Sequence, residues 1–248
     1  MIAKVAFLTN AREYAGPPTT AALANAGWTL FCHDDAFASP DARAAYERDH
    51  PGQIAAEQQD AAAFVGDGLA RFGRIDALIS NDIPKRTAPP FAKLADLLQD
   101  FEEHLNSVLL EPVRLLRAAL PAMKAARSGS IVLITSGAPL TNPTMGGPPH
   151  GYIAARAGAH GLVKAHSVEL APLGVQVNAV APFMVYSQTF FPSELGADDP
   201  QFAPFVNQTV PMQRFGAPEE IGTLIALLAS GKVSFVSGQV VAFSGAGC

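Results

Sequence analysis

Residues 5–26 have the sequence VAFLTNAREYAGPPTTAALANA, which is the pattern of a strand, a polar turn and a helix. The run Val5–Leu8 is apolar at every position, as in a strand buried on both faces of a sheet. The segment 17–26 predicts a helix, and Gly27 follows it where a C-capping glycine belongs. In such a unit the turn between strand and helix, here Thr9–Gly16, is the part that meets a ligand.

The same alternation of short apolar runs and helix-length segments continues along the chain. Because it requires right-handed crossovers, the sequence predicts an α/β fold with one doubly wound, mostly parallel sheet and helices on both faces. No linker or repeat interrupts the pattern, so residues 1–248 are expected to form one domain. The expected strands are Val5–Leu8, Trp28–Cys32, Ala77–Ser80, Ile131–Thr135, Val175–Val180 and Val240–Phe243, and the expected helices are 17–26, 40–50, 60–72, 95–126, 152–171 and 218–229.

Composition excludes several classes of protein. With 49% hydrophobic and 16% charged residues the chain is globular rather than disordered. Its formal net charge of −5, without a basic tract, argues against a nucleic-acid partner. No apolar run approaches the roughly 18 residues of a membrane span. The two cysteines and six histidines show no metal-ligand spacing, so no metal is expected, and a cytoplasmic location is the simplest expectation.

The turn Thr9–Gly16 lacks the glycines that a dinucleotide would need. Glycines in such a turn let the backbone approach the pyrophosphate closely. Asn10 and Tyr14 occupy the first two glycine positions of the T-G-x-x-x-G-x-G turn found in short-chain dehydrogenases/reductases, and only Gly16 is kept. The Tyr14 side chain would project into the cofactor's space, so no nucleotide cofactor is expected.

Two acidic residues follow strands of the expected sheet where a nucleotide would bind. Asp82 puts a carboxylate where a small residue would let a nucleotide pass. Asp34 stands where an acid would hold an adenosine ribose, but without the glycines a turn carboxylate is the preferred interpretation.

Three further residues carry the expected chemistry. Ser136 ends the strand SIVLITS, and Tyr152 and Arg156 begin the next helix, four residues apart and therefore on one face. Short-chain dehydrogenases have a lysine at the position of Arg156. A guanidinium keeps the positive charge that favours a phenolate but cannot lose its proton.

Together these motifs resemble the halohydrin dehalogenases, relatives of the short-chain dehydrogenases that use no nucleotide. Their T-x4-[F/Y]-x-G motif is Thr9…Tyr14-Ala15-Gly16 here, and their Ser…Tyr-x-x-x-Arg motif is Ser136…Tyr152…Arg156. Fifteen residues separate Ser136 from Tyr152, a longer interval than is usual in that family. The loop Thr141–Gly151 is therefore expected to be enlarged and to affect substrate range.

The resemblance implies a seven-stranded Rossmann-like sheet and a specific reaction. Tyr152 would take the hydroxyl proton of a vicinal haloalcohol, Ser136 would hold the same oxygen, and Arg156 would pass the proton towards Asp82. The alkoxide would then displace halide and close an epoxide, and the reverse reaction would open epoxides with azide, cyanide, nitrite or halide. The implied halide site comprises Tyr14, Pro182, Phe183, Met184 and Val185.

The resemblance also implies a homotetramer, a dimer of dimers with a seam formed by residues 95–126 and the helix from Tyr152. Two alternatives remain open from the residues alone. One is an NAD(P)-dependent short-chain dehydrogenase/reductase with a degenerate cofactor turn. The other is a catalytically inactive binding protein, against which the retention of Ser136 and Tyr152 argues.

Overall fold

A seven-stranded parallel sheet organises the molecule. The computed structural model describes residues 3–85, 96–141 and 148–248. The strand order is β3-β2-β1-β4-β5-β6-β7, and all neighbouring pairs are parallel. The strands are β1 (Val5–Leu8), β2 (Thr29–Cys32), β3 (Ile54–Ala55), β4 (Ala77–Ser80), β5 (Gly129–Ile134), β6 (Val175–Pro182) and β7 (Val240–Phe243).

Helices cover both faces of this sheet. They are α1 (Gly16–Asn25), α2 (Pro40–Asp49), α3 (Ala61–Phe72), α4 (Leu97–Leu105), α5 (Glu111–Ala126), α6 (His150–Leu170), α7 (Ala203–Thr209) and α8 (Pro218–Ala229). The expected Rossmann-like, doubly wound fold is thus confirmed.

Successive residues of β1 belong to different cores because their side chains point to opposite faces of the sheet. Phe7 packs with Phe31 and Phe64 on the face covered by α3, α5 and α6. Leu8 belongs to the cluster on the other face, with Leu23 of α1 among its members. Burial on both faces explains why the strands are continuous apolar runs in the sequence.

The structure departs from the sequence expectations in several elements. All six expected strands are present, three with the expected ends and three with shifted ends, and β3, only two residues long, joins them. The expected helix 95–126 is α4 and α5 joined by one π-helical turn, Asn106–Leu110. Helix α7 was not expected. It has only seven residues and lies in a proline-rich segment whose sequence is typical of a loop. Most of the loop Thr141–Gly151, residues 142–147, lies outside the described residues, as does residue 95.

No helix in the described ranges is long and apolar enough to cross a membrane.

Candidate active site

The expected site residues gather at the C-terminal edge of the sheet. Asp82 follows β4, Ser136 follows β5, Pro182 ends β6, and Tyr14 lies in the turn between β1 and α1. Since β1, β4, β5 and β6 are consecutive neighbours, these residues share one crevice. The strand order reverses between β1 and β4, which is where open α/β sheets bind ligands.

Helix α6 brings Tyr152 and Arg156 to this crevice on one face, one turn apart. Tyr152 is 4% exposed and Arg156 is 1% exposed. The central carbon of the guanidinium lies 5.2 Å from the centre of the Tyr152 ring. The cation and the phenol are therefore adjacent, as the sequence indicated.

Two main-chain carbonyls hold the Arg156 guanidinium. Nη1 donates to the Ile134 oxygen at 2.8 Å, and Nη2 donates to the main-chain oxygen of Asp82 at 2.7 Å. The guanidinium thus joins the end of β5 to the segment after β4 through its two terminal nitrogens. Nε is buried and has no hydrogen-bond partner among the described residues. This N–H remains available to a ligand or a water.

Ser136 is 6% exposed, and its hydroxyl oxygen accepts a hydrogen bond from the Ala138 amide at 3.1 Å. Its own proton remains available for donation to a substrate oxygen. Beside it, His160 Nε2 lies 3.1 Å from Thr135 Oγ1. Burial, aided by Arg156, lowers the pKa of His160, so this ring is neutral at pH 7.

Asp82 is joined to Arg156 through its main chain rather than its side chain. Its carboxylate accepts a hydrogen bond from the Ser80 hydroxyl and lies 3.5 Å from Thr9 Oγ1. Burial raises the pKa of Asp82 to about 6, although the Ser80 hydrogen bond and the Arg156 charge oppose the rise. The carboxyl can therefore take up and release a proton near neutral pH.

The turn after β1 keeps a glycine-like backbone at the two positions where its glycines are replaced. Asn10 has φ +45° and Tyr14 has φ +50°, both in the left-handed region. Reciprocal side-chain hydrogen bonds of 2.9 Å join Asn10 to the Asn81 oxygen and Asn81 to the Asn10 oxygen. The turn is thereby fastened to the end of β4.

The Tyr14 side chain lies within the crevice. Its ring packs edge-on against Phe190, with ring centres 4.8 Å apart. Burial raises the pKa of the Tyr14 phenol above its ordinary value, with a further rise from Tyr152 and an opposing effect of Arg156. Tyr14 is therefore neutral and close to both.

These residues do not fit a dinucleotide. Tyr14 replaces the glycine that a close backbone approach needs. The Asp34 carboxylate, which could hold a ribose, instead accepts hydrogen bonds from the main-chain amides of Arg12 at 3.0 Å and Ala36 at 3.1 Å. Asp34 is thus a turn carboxylate, as expected.

Only part of the expected halide turn offers free backbone donors. Pro182 has no N–H, and the Phe183 amide donates to the Phe243 oxygen of β7 at 2.9 Å. Among the described residues, the amides of Met184 and Val185 have no acceptor. Met184 has φ +53°, and Val185 is 4% exposed. Consecutive amides at a left-handed residue, as at Met184 and Val185, form the type of concavity that binds anions.

The aromatic residues of the long segment after β6 divide into two groups. Phe190 packs on Tyr14 at the site. Phe191 and Phe202 instead pack with Phe215 in a separate small core.

A buried acid and histidine behind Tyr152 were not expected from the sequence. Asp100 is 3% exposed, and its carboxylate accepts a hydrogen bond from the Gly151 amide at 3.2 Å. His104 is fully buried, and its ring meets that of Tyr152 edge-on at 5.7 Å. The spacing of four residues within LLQDFEEHL was the available signal, because it places both on one face of α4.

No group of three or more His, Cys, Asp or Glu in the described part of the chain is placed to hold a metal ion.

Comparison with known proteins assigns the class. Residues 18–245 match the family model described as enoyl-(acyl carrier protein) reductase. A cis-4-hydroxycyclohexanecarboxylate dehydrogenase of Sinomonas cyclohexanicum is 32% identical over 98% of this chain and 95% of its own. A 3-oxoacyl-(acyl-carrier-protein) reductase of Thermotoga maritima is 28% identical over 98% of this chain and 96% of its own. The chain belongs to the short-chain dehydrogenase/reductase family of enzymes.

Within that family, solved structures confirm the resemblance to halohydrin dehalogenases. One, described as a dehalogenation enzyme, has a TM-score of 0.89 and 31% identity, and the match covers 99% of this chain and 98% of the other. A halohydrin dehalogenase bound to ethyl (2S)-oxiran-2-ylacetate also has a TM-score of 0.89 and 31% identity, with 98% and 96% of the two chains covered.

Proposed function

We propose that this protein is a halohydrin dehalogenase, which converts vicinal haloalcohols to epoxides without a nucleotide cofactor. The observation that carries the proposal is the buried Arg156 guanidinium, fixed by two carbonyls beside the Tyr152 ring. The similarity to a dehalogenase bound to an epoxide supports the same reaction class.

In this reaction Tyr152, as a phenolate, removes the hydroxyl proton of the haloalcohol. Ser136 donates a hydrogen bond to the same oxygen. The resulting alkoxide attacks the neighbouring carbon, the carbon–halogen bond breaks with its electron pair, and halide leaves. Because both reacting groups belong to one molecule, the enzyme mainly selects the conformation in which they are aligned.

The leaving halide binds beside Tyr14, at the amides of Met184 and Val185. Backbone N–H groups among apolar side chains hold a weakly hydrated anion without a charged partner. Binding through neutral amides favours release of halide after each turnover. The reverse reaction uses the same place for azide, cyanide, nitrite or halide.

A nicotinamide-dependent reductase is the second candidate, because the curated relatives of similar length are oxidoreductases. Tyr14, Asp34 and Asp82 argue against it for the reasons given above. Titration calorimetry with NAD(H) and NADP(H) tests the distinction. We expect no binding at micromolar concentrations, and micromolar binding of either nucleotide would favour the reductase.

The proposal is tested by incubating purified protein with a simple bromohydrin in the absence of nucleotide. We expect one halide and one proton for each epoxide formed. Tyr152→Phe and Ser136→Ala should lose most of the turnover, each by about 100-fold or more, because the base or its partner is removed. Tyr46→Phe, which removes a buried tyrosine hydroxyl outside the site, is the control. Full activity in Tyr152→Phe would show that another group is the base.

A further inference from the structure

The first turn of α6 carries Tyr152 but does not cap its own amides. The first amides of any helix have no acceptor within the helix and must find one elsewhere. The N-cap residue of α6, Pro149, has no side-chain acceptor, and no residue within 150–153 is acidic. The turn that holds Tyr152 therefore depends on acceptors that α6 does not supply.

Asp100 of α4 supplies one of these acceptors. Its Oδ2 accepts a hydrogen bond from the Gly151 amide at 3.2 Å, and a negative charge at a helix N-terminus is also favoured by the helix dipole. The two helices approach closely at this point. A Cβ at Gly151 would lie 2.7 Å from the main-chain oxygen of Asp100 and 2.9 Å from its Oδ2. A side chain at position 151 would therefore push α6 away from α4.

His104 lies one turn further along α4, on the same face as Asp100, and contacts the Tyr152 ring. It is fully buried, and its Nδ1 lies 2.7 Å from the main-chain oxygen of Asp100. Because a carbonyl oxygen only accepts hydrogen bonds, Nδ1 carries the proton in this contact. The imidazole meets the phenol edge-on, with ring centres 5.7 Å apart and an angle of 76° between the rings. This is a favoured arrangement of two rings, so the contact restricts the orientation of Tyr152.

The proposed reaction depends on where the Tyr152 oxygen lies. To remove the hydroxyl proton it must come within hydrogen-bond reach of the substrate, and a displacement of about 1 Å can lower the rate by about 100-fold. Arg156 contacts the Tyr152 ring from the same helix, so it moves together with that helix. Contacts from α4 are different, because they fix α6 and the ring relative to a second element.

We propose that Asp100 and His104 are positioning residues for Tyr152: Asp100 fixes the first turn of α6, and His104 fixes the orientation of the phenol ring. This inference rests on the proposed function. Both residues act through Tyr152, and neither contacts the substrate. Loss of either contact should therefore slow removal of the hydroxyl proton without weakening the binding of the haloalcohol.

The test compares, for each residue, a variant that removes the contact with one that keeps it. It measures the single-turnover rate of epoxide formation over a range of bromohydrin concentrations. In His104→Leu and Asp100→Ala the maximal rate should fall about tenfold or more, while the half-saturating concentration should stay within about twofold. His104→Phe keeps a ring edge against Tyr152, and Asp100→Asn keeps an oxygen that can accept from Gly151. Both should recover most of the rate.

The matched control is His166→Leu, which replaces a partly buried histidine of α6 that lies 3.8 Å from Glu169 and should keep the wild-type rate. Circular dichroism checks the fold of each variant, and competitive inhibition by bromide checks that the rest of the site is intact. The His104 pair decides the question even if Asp100→Ala does not fold.

The positioning role is overturned by wild-type rates in His104→Leu and Asp100→Ala, or by equal losses in His104→Leu and His104→Phe. A raised half-saturating concentration with an unchanged maximal rate overturns it as well, because the residues would then act on binding. Each of these results leaves the dehalogenase proposal intact. A wild-type protein that releases no halide overturns both.

Discussion

Replacing Asp82 with asparagine should make the protein more stable at neutral pH but not in acid. The pKa of this buried carboxyl rises from an ordinary 3.8 to about 6, mainly through burial. A pKa difference of one unit corresponds to about 1.4 kcal/mol, so ionising Asp82 in the folded protein costs roughly 3 kcal/mol. Asparagine has no charge to desolvate, and its side-chain oxygen can still accept the hydrogen bond from Ser80.

The sign depends on pH in a defined window. Below about pH 4, Asp82 is protonated in the folded and the unfolded protein, so its ionisation contributes nothing. Between pH 4 and 6 the unfolded chain ionises first, and the wild-type protein loses stability relative to Asp82→Asn. Above about pH 6 the full cost is present. The advantage of the variant should therefore grow from near zero to roughly 3 kcal/mol across this window.

Urea unfolding of both proteins at several values between pH 4 and pH 8 measures this difference. Other titrating groups change alike in the two proteins and cancel in the comparison. Asp67→Asn, an exposed change on α3, should show little dependence on pH. A stability difference between wild type and Asp82→Asn that stays constant with pH, or that falls as pH rises, would refute the reasoning.

Three further predictions concern the site and the assembly. Arg156→Lys should destabilise the fold by about 1–3 kcal/mol in urea unfolding, because a single nitrogen replaces the two that each donate to a carbonyl, and should move the rising limb of the pH–rate profile. An unchanged profile would exclude a role in base activation. Tyr14→Ala should weaken competitive inhibition by bromide and lower kcat, because the leaving halide loses its receptor; unchanged bromide inhibition would place the halide elsewhere. Light scattering should give the mass of a homotetramer, because Leu98 on α4 and Val168 on α6 are 67% and 78% exposed apolar residues on the expected seam. Leu98→Asp should reduce that mass, and a monomeric wild-type protein would contradict the expectation.

The sequence predicted those parts of the fold whose patterns are local. Strands such as β1 and β5 are buried on both faces and therefore appear as continuous apolar runs. Strand β3 could not be predicted from the sequence, because two residues are too few to show a pattern of apolar and polar positions. The π-helical turn Asn106–Leu110 was also missed, since its helical pattern continues into α4 and α5 on either side.

For the site, spacing along one helix was sufficient for Tyr152 and Arg156, whereas hydrogen bonds between distant segments were not predictable. Nothing in the sequence indicates that Arg156 donates a hydrogen bond to the main-chain oxygen of Asp82, or that the Asp82 carboxylate accepts one from Ser80 instead. Likewise, the sequence does not show that the Phe183 amide donates a hydrogen bond to β7. Among the described residues, the amides of Met184 and Val185 have no such acceptor.

Tyr14 has a left-handed backbone conformation that glycine adopts without strain. A bulky residue in this conformation costs roughly 1–2 kcal/mol relative to glycine, so local energetics did not select tyrosine for the bend. The chemistry of this turn can thus change through its side chains while the main chain keeps its path. Tyr14→Gly would relieve strain in the turn rather than create it.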